Sequence, residues 1–198
     1  MPHKIRKISI SGRINTLDNN SEHIPDTRAI RYRNGRNEEF IIRPVGIINT
    51  PHKDPSRTPI QPVFARGIKG TVTVNPEYSD GLLDLDKFSH IYLLYYFHKC
   101  KDVRLILKPY LEDKDRGLFA TRAPCRPNPL GISIVRLLSV MDNILQVEDV
   151  DILDNTPLID IKPYVKRFDS RDNVRSGWQD DIEDDAAEIL GLRDFKKS

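Results

Sequence analysis

The most informative segment for the fold is Phe88–Cys100, FSHIYLLYYFHKC. In a β-strand, successive side chains point to opposite faces of the sheet. One face of this stretch is entirely apolar or aromatic, and we expect it to pack into the core; it carries Ile91, Leu93, Tyr95 and Phe97. The other face mixes apolar side chains with hydrogen-bonding groups. That mixture is typical of the wall of a binding cleft, and also of a strand buried on both sides.

Two histidines and a cysteine on that second face raise the question of a metal site. His90 and His98 lie eight residues apart, or roughly 26 Å along an extended strand, so they share no ion unless the strand bends sharply. Besides Cys100 the chain contains one further cysteine, Cys125. Two cysteines provide neither a disulfide framework nor a four-cysteine zinc site. We therefore expect no metal.

Short strand candidates lie on both sides of this stretch. They are Phe40–Ile48, Gly70–Asn75, Val103–Lys108, Leu118–Thr121, Ile132–Val140, Ile144–Leu153 and Leu158–Tyr164. Eight short strands with little helical pattern between them predict a mainly β fold, a single-sheet closed barrel with a few short helices. A longer helix is expected near the C-terminus, where Ser176 or Asp180 can cap an acidic first turn and Gly191 can end it.

Composition restricts the class of protein. The chain has 198 residues, of which 38% are hydrophobic and 30% charged. These values fit one globular domain with extensions and exclude a disordered or fibrous chain. No apolar run approaches the roughly 20 residues of a membrane helix, and no apolar segment follows the basic N-terminus as in a secretory signal. With so few cysteines, these features predict a cytoplasmic protein.

The chain divides into three parts. Residues 1–39 are polar, lack sustained periodicity and are predicted to form a partly ordered extension; residues 40–168 form the β-barrel domain; residues 169–198 form a C-terminal segment with the acidic helix. Residues 1–43 contain nine Lys and Arg against five Asp and Glu. A basic arm favours an acidic partner such as a nucleic acid, although a solvated extension would have the same composition.

The densest group of functional side chains lies in residues 117–131, GLFATRAPCRPNPLG. Its prolines fix their own φ and restrict the residues before them, so Arg122, Arg126 and Asn128 are held in fixed directions. A guanidinium offers a planar fork of donors suited to carboxylate or phosphate. The loop therefore indicates an anion-binding site, with pairing of its arginines to surface acids as the alternative. A catalytic Cys125 is disfavoured, because no histidine is clearly paired with it.

Residues 149–164, DVDILDNTPLIDIKPY, are predicted to form a strand, a tight turn and a second strand. Asn155 in the turn tolerates left-handed geometry. Asp151, Asp160 and Tyr164 stand among apolar neighbours, and a buried charge must be paired. These side chains form either a structural ion-pair network or a group that orients a substrate amine. Elsewhere the chain contains no GxGxxG, P-loop, HExxH or GxSxG sequence, which argues against a Rossmann dinucleotide site.

Four motifs, in order, resemble one family. They are TPHKDPSRTPIQP at 50–62, DGLLDLDKFSHIYLLYYFH at 80–98, GLFATRAPCRPNPLG at 117–131 and DILDNTPLIDIKPY at 151–164. Over residues 40–168 the chain resembles the TsaA-like, or TrmO, family of S-adenosylmethionine-dependent tRNA methyltransferases. The resemblance implies a single-sheet β-barrel, a homodimer, and methylation at N6 of threonylcarbamoyladenosine next to the tRNA anticodon. The chain departs from the family pattern at Ile60, Cys125 and Asn155.

The resemblance also implies which residues bind S-adenosylmethionine. They are Gln61, Pro62, His98, Lys99, Cys100, Arg122, Arg126, Val150 and Asp151. The expected catalytic residues are Arg122, Asn128, Asp151, Asp160 and Tyr164. A carboxylate or the tyrosine would accept the proton that N6 loses, and an arginine would suit the threonyl carboxylate. The alternative hypothesis is a non-catalytic module that binds the cofactor or RNA.

Overall fold

The computed structural model describes residues 30–33 and 39–193. The remaining residues, which include most of the predicted N-terminal extension, lie outside the described part. The described residues form ten strands: β1 Ile30–Arg33, β2 Glu39–Ile42, β3 Gly46–Asn49, β4 Lys69–Val74, β5 His90–Tyr96, β6 Ile106–Leu107, β7 Arg116–Gly117, β8 Leu130–Met141, β9 Ile144–Glu148 and β10 Thr156–Pro163. The helices are α1 Lys166–Asp169 and α2 Asp184–Leu192, together with several short 3-10 turns.

Six of the strands close into a barrel in the order β10-β3-β4-β9-β8-β5. Every pair in the barrel is antiparallel. Strands β1 and β2 form a separate two-stranded sheet, and so do β6 and β7. The predicted closed, mainly β barrel is confirmed.

The interior of the barrel follows from side-chain alternation. Along β5, Ile91, Leu93 and Tyr95 are buried as predicted, and intermediate residues alternate with them. Opposite them, β8 buries every second side chain from Gly131 to Leu137. Each fully buried Val, Leu or Ile stabilises the fold by about 1.5–3 kcal/mol, so this alternation fixes the register of the barrel.

Strand ends divide the barrel into two regions. The loop end consists of residues 50–68, 97–129 and 149–155, which connect β3 to β4, β5 to β8 and β9 to β10. The far end consists of residues 75–89, 142–143 and 164–170. At the far end, two 3-10 helices bury Leu82 and Leu85 against the barrel core. The connections of the loop end contain all or part of each of the four quoted motifs.

Several predicted boundaries were wrong. Leu118–Thr121 is not a strand, because Leu118–Ala120 forms a 3-10 turn closed by the Thr121 N–H on the Leu118 carbonyl. Strand β9 ends at Glu148 rather than continuing to 153, because Asp149 takes a φ of 68°. The first predicted strand divides into β2 and β3, which are separated by residues 43–45.

The C-terminal helix is shorter than predicted. It begins after Glu183, and neither Ser176 nor Asp180 caps it, because residues 177–181 form a separate 3-10 turn. Gly191 lies inside the helix rather than ending it, and the left-handed residue that follows the helix is Arg193. Within residues 30–33 and 39–193, no helix is long and apolar enough to cross a membrane.

Candidate functional site

The loop end brings together two predicted site residues that are 61 positions apart in the chain. Arg122 Nη1 donates a hydrogen bond of 2.6 Å to Gln61 Oε1. The Gln61 amide nitrogen donates at 2.6 Å to the carbonyl of Ile60, so its oxygen is turned toward the arginine. Arg122 itself is exposed. Its guanidinium is therefore oriented by the protein and accessible to a ligand. Pro62 follows Gln61 and starts a 3-10 turn.

Arg126, on the same loop, has a different environment. Its Nη1 lies 2.9 Å from the carbonyl oxygen of Thr121, 3.3 Å from that of Ala123 and 3.5 Å from that of Leu118. Its guanidinium carbon lies 5.7 Å from the centre of the Phe119 ring. The structure thus shows Arg126 holding the shape of the loop that presents Arg122. Its contact with a cofactor stays a prediction.

A buried chain of hydrogen bonds runs from the loop end into the barrel. Ser133 Oγ donates to Asp151 Oδ1 at 2.6 Å, and Tyr95 Oη lies 3.0 Å from Ser133 Oγ. Since the serine proton points to the carboxylate, the tyrosine is the donor to the serine. All three residues are at most 8% exposed. Gly131 is required beside them, because a Cβ there would lie 2.2 Å from the Tyr95 ring.

Burial gives Asp151 an unusual affinity for protons. Removal of the carboxylate from water raises its pKa to about 7, although the Ser133 hydrogen bond and the positive charge of Arg122 act in the opposite direction. Burial, with the nearby Asp151 charge, raises the pKa of Tyr95 well above its ordinary value, so its phenol stays protonated. Asp151 can therefore either accept or release a proton near neutral pH.

The backbone before and after Asp151 is held from the β3–β4 connection. His52 Nε2 lies 2.8 Å from the Val150 carbonyl, and Thr50 Oγ1 donates at 2.7 Å to the Ile152 carbonyl. Burial lowers the pKa of His52, and a neutral imidazole with its proton on Nε2 fits this contact. The Val150 side chain is itself fully buried. Val150 therefore contributes to the site by positioning Asp151.

Asp154 is a further anchor that the sequence reasoning missed. Its Oδ1 accepts the Thr50 N–H at 2.9 Å, and its Oδ2 lies 2.5 Å from Lys53 Nζ. Burial alone would raise the pKa of Asp154, but Lys53 and these donors outweigh it and hold the pKa below its ordinary value. The next residue, Asn155, has a φ of 57°, which confirms the predicted left-handed turn. The only signal for Asp154 was its position inside the LDNTP turn.

The residues after β5 are half-buried or exposed at the loop end. His98 Nδ1 lies 3.4 Å from Thr156 Oγ1, and burial together with the Lys99 charge lowers the pKa of His98. Lys99 is exposed. Burial and contact with Cys125 raise the pKa of Cys100 to about 11, so its thiol is protonated at neutral pH. Among the described residues, no group of three His, Cys, Asp or Glu side chains could hold a metal ion.

The structure does not bring Asp160 and Tyr164 to this site within one chain. Asp160 lies opposite Leu94, on the outer face of the barrel, and bonds Lys162 at 2.7 Å. Tyr164 follows β10 at the far end, where its ring centre is 5.9 Å from that of Tyr92. Strand β10 spans roughly 23 Å, which separates Tyr164 from Asp151. Asp160 faces outward and Tyr164 lies at the far end, so the predicted catalytic residues do not form one group within one chain. Asn128 is exposed on the loop that carries Arg122.

Ser133 and Tyr95 are the other members of the site that sequence reasoning missed. Tyr95 was predicted only as a core residue, and Ser133 was not singled out. A signal existed for Ser133, because it is a hydroxyl on the buried face of an otherwise apolar strand, GISIV. A buried hydroxyl needs a hydrogen-bond partner, and its partner proved to be Asp151.

Comparison with known proteins finds one matching domain family and several relatives. Residues 47–170 match the tRNA-methyltransferase O N-terminal domain. A probable S-adenosyl-L-methionine-binding protein of Pyrococcus abyssi is 57% identical over 136 residues, which are 69% of this chain and 74% of that protein. The human tRNA (adenine(37)-N6)-methyltransferase is 34% identical over 146 residues, covering 68% of this chain but 32% of the human protein.

Solved structures give the same relationship. The crystal structure of TrmO from Pseudomonas aeruginosa superposes with a TM-score of 0.59 at 34% identity, covering 69% of this chain and 61% of the other. The chain therefore spans less than two thirds of that enzyme. The match of the domain over residues 47–170, the barrel and the loop-end residues lead to one conclusion: this chain belongs to the tRNA-methyltransferase O (TrmO) family.

Proposed function

We propose that this protein is an S-adenosylmethionine-dependent methyltransferase that methylates N6 of threonylcarbamoyladenosine next to the anticodon of tRNA. The observation that carries the proposal is that one end of the barrel holds an exposed, oriented arginine, Arg122, and a buried acid, Asp151, on whose pKa the charge of that arginine acts. The name of the human relative, a tRNA adenine-N6 methyltransferase, supports the same reaction.

The loop-end residues fit the chemistry of the cofactor. S-adenosylmethionine has a carboxylate tail, which suits the exposed guanidinium of Arg122, and a positively charged sulfur, which an acid such as Asp151 would favour. When bound, the cofactor supplies a methyl group that is activated by that sulfur. Gln61 orients Arg122 for the tail. The absence of a GxGxxG sequence is consistent with binding outside a Rossmann domain.

The chain itself supplies positioning and proton transfer. Methyl transfer requires the reacting atoms within about 3–3.5 Å, and holding them there provides much of the rate acceleration. N6 of the modified adenosine loses a proton during or after transfer. Asp151, with a pKa near 7, is matched to accept that proton at neutral pH. The exposed Asn128, on the same loop as Arg122, is suited to a polar group of the substrate.

A homodimer is part of this proposal. The outward-facing side of β8 carries four apolar side chains that are 38–47% exposed, Leu130, Ile132, Ile134 and Leu138, with Arg136 between the last two. The first three are neighbours on that face, and monomers rarely expose a large apolar patch, so a second copy is the expected cover. Ile132→Asp should then give a monomer in light scattering at micromolar concentration, where the unmodified chain is a dimer. A monomeric unmodified chain would exclude the dimer.

Transfer of labelled methyl from S-adenosylmethionine to tRNA tests the function. We expect label in tRNA that carries the threonylcarbamoyl group and none in tRNA without it. Label in both tRNAs would support a methyltransferase that does not require the threonylcarbamoyl group. Cofactor binding without transfer to either tRNA would favour the non-catalytic module, which is the activity that the name of the Pyrococcus relative describes. Action on tRNA would agree with the predicted cytoplasmic location.

A further inference from the structure

The C-terminal segment returns from the far end of the barrel to the loop end. We call residues 171–193 the C-terminal strap. It lies beyond residues 47–170, the part of the chain that matches the TrmO domain. The strap contacts the two loops that carry Arg122 and Gln61, on each side of the hydrogen bond that joins them.

The first contact is made by Trp178, the only tryptophan in the chain. Its indole Nε1 donates at 2.8 Å to the carbonyl of Ala120, two residues before Arg122. The Arg116 guanidinium lies 5.8 Å from the indole ring centre and is held at 2.9 Å by Glu112. Trp178 is half-buried in this position. The indole therefore fixes the 3-10 turn from which Arg122 extends.

The second contact is made by the end of α2. The Ile60 N–H donates at 3.0 Å to the Gly191 carbonyl, directly before Gln61. A Cβ at Gly191 would lie 2.4 Å from the Phe64 ring, so glycine is required for the helix to approach this closely. Arg193 then donates at 2.8 Å to the Pro55 carbonyl, and its guanidinium lies 4.1 Å from the centre of the Tyr110 ring.

We propose that the C-terminal strap positions the two cofactor loops, with Trp178 and Gly191 as positioning residues for S-adenosylmethionine binding. The Arg122–Gln61 hydrogen bond is exposed, and a bond of this kind adds only about 0.5–1.5 kcal/mol. It does not hold two long loops in register without support. The strap fixes both loops before the cofactor arrives, which reduces the ordering cost of binding. This inference rests on the proposed function for the identity of the ligand.

Matched variants test the strap. Trp178→Phe keeps an aromatic ring but removes the N–H donor, and Gly191→Leu pushes α2 away from Phe64. Ile189→Ala is the control, because Ile189 is 74% exposed on the same helix. We expect the dissociation constant of S-adenosylmethionine, measured by calorimetry, to rise about threefold to tenfold in Trp178→Phe and more in Gly191→Leu. The kcat at saturating cofactor should change less than twofold, and the control should bind normally.

Amide hydrogen exchange tests the positioning role of the strap independently of the proposed function. Without any ligand, residues 55–64 and 116–126 should exchange faster in Gly191→Leu than in the Ile189→Ala control. If the unmodified protein does not bind S-adenosylmethionine, the proposed function fails, and so does the strap's role toward this ligand. Equal exchange in both variants would contradict the positioning role of the strap. Unchanged cofactor affinity in Trp178→Phe and Gly191→Leu would contradict it as well.

Discussion

The two ends of the barrel are built by the same strands but differ in chemistry. On the inner face of β8, the loop-end positions are Gly131 and Ser133, whereas the positions toward the far end are Val135 and Leu137. Gly131 leaves room for the Tyr95 ring, and Ser133 donates a hydrogen bond to Asp151. The apolar pair joins the core cluster. One strand therefore stabilises the barrel at one end and supports a polar site at the other.

Asp151→Asn should give the largest effect on activity. Loss of a general base typically costs about 10²–10⁴-fold in rate, and the amide keeps the shape of the carboxyl. Transfer of labelled methyl to modified tRNA at pH 8 measures the loss. A variant that retains more than a third of the activity would exclude Asp151 as the proton acceptor.

The same substitution should stabilise the fold at alkaline pH. The pKa of Asp151 is raised from 3.8 to about 7 in the folded protein. Below about pH 4 the carboxyl is protonated in both the folded and the unfolded chain, so the fold keeps its full stability. As the pH rises from there through 7, the proton is lost and the free energy of unfolding falls. At pH 8, Asp151→Asn should raise the free energy of unfolding by up to about 4 kcal/mol, and the difference should vanish near pH 4. Urea unfolding at the two pH values measures it, and a destabilised variant at pH 8 would contradict the assignment.

Arg122→Ala should lower kcat/KM by about 100-fold, because a single oriented donor at such a site contributes on the order of 10²-fold. The melting temperature should change little, since Arg122 is exposed. Arg167→Ala is the control: it removes another exposed arginine, which lies in α1 at the far end. Equal losses in the two variants would mean that the arginine at the loop end has no special role.

Ser133→Ala should move the acid limb of the kcat/KM profile to higher pH. The serine hydroxyl favours the charged carboxylate, so its removal raises the pKa of Asp151 further. The shift should be about one pH unit, since a hydrogen bond to a charged group contributes about 1.5 kcal/mol. The profile is measured from pH 5 to 9. An unchanged limb with reduced activity would assign Ser133 to packing alone.

Tyr164→Phe should have the smallest effect, less than about threefold on activity. Its ring lies with those of His90 and Tyr92 at the far end. Steady-state kinetics on modified tRNA measure the change. A loss above tenfold would return Tyr164 to the catalytic set and would require a second subunit to bring it to the loop end.

The barrel was predictable because it depends on local alternation. Buried and half-buried side chains alternate along His90–Tyr96, and the buried face proved to be the predicted one, although Phe97 is half-buried. The pairing of Gln61 with Arg122 was foreseen only through the family resemblance, since no local pattern relates residues 61 positions apart. The role of Arg126 in its own loop was not predictable, because arginines that bind ligands and arginines that bind carbonyls look alike in sequence. Asp160 and Tyr164 were grouped with Asp151 because all three stand in one short sequence motif. Closeness in the sequence does not show which end of a strand each residue occupies.

Strand β10 has a consequence for the order in which the protein folds. It closes the barrel by pairing with both β3 and β5, and the contact between Thr50 and Ile152, just before β10, joins residues 102 positions apart. Long-range closure of this kind is slow, because the chain entropy is lost before the contacts form. Asp151 lies in the segment that leads into β10. The site is therefore incomplete until β10 has paired with β3 and β5, in a partly folded chain as in an incompletely synthesised one.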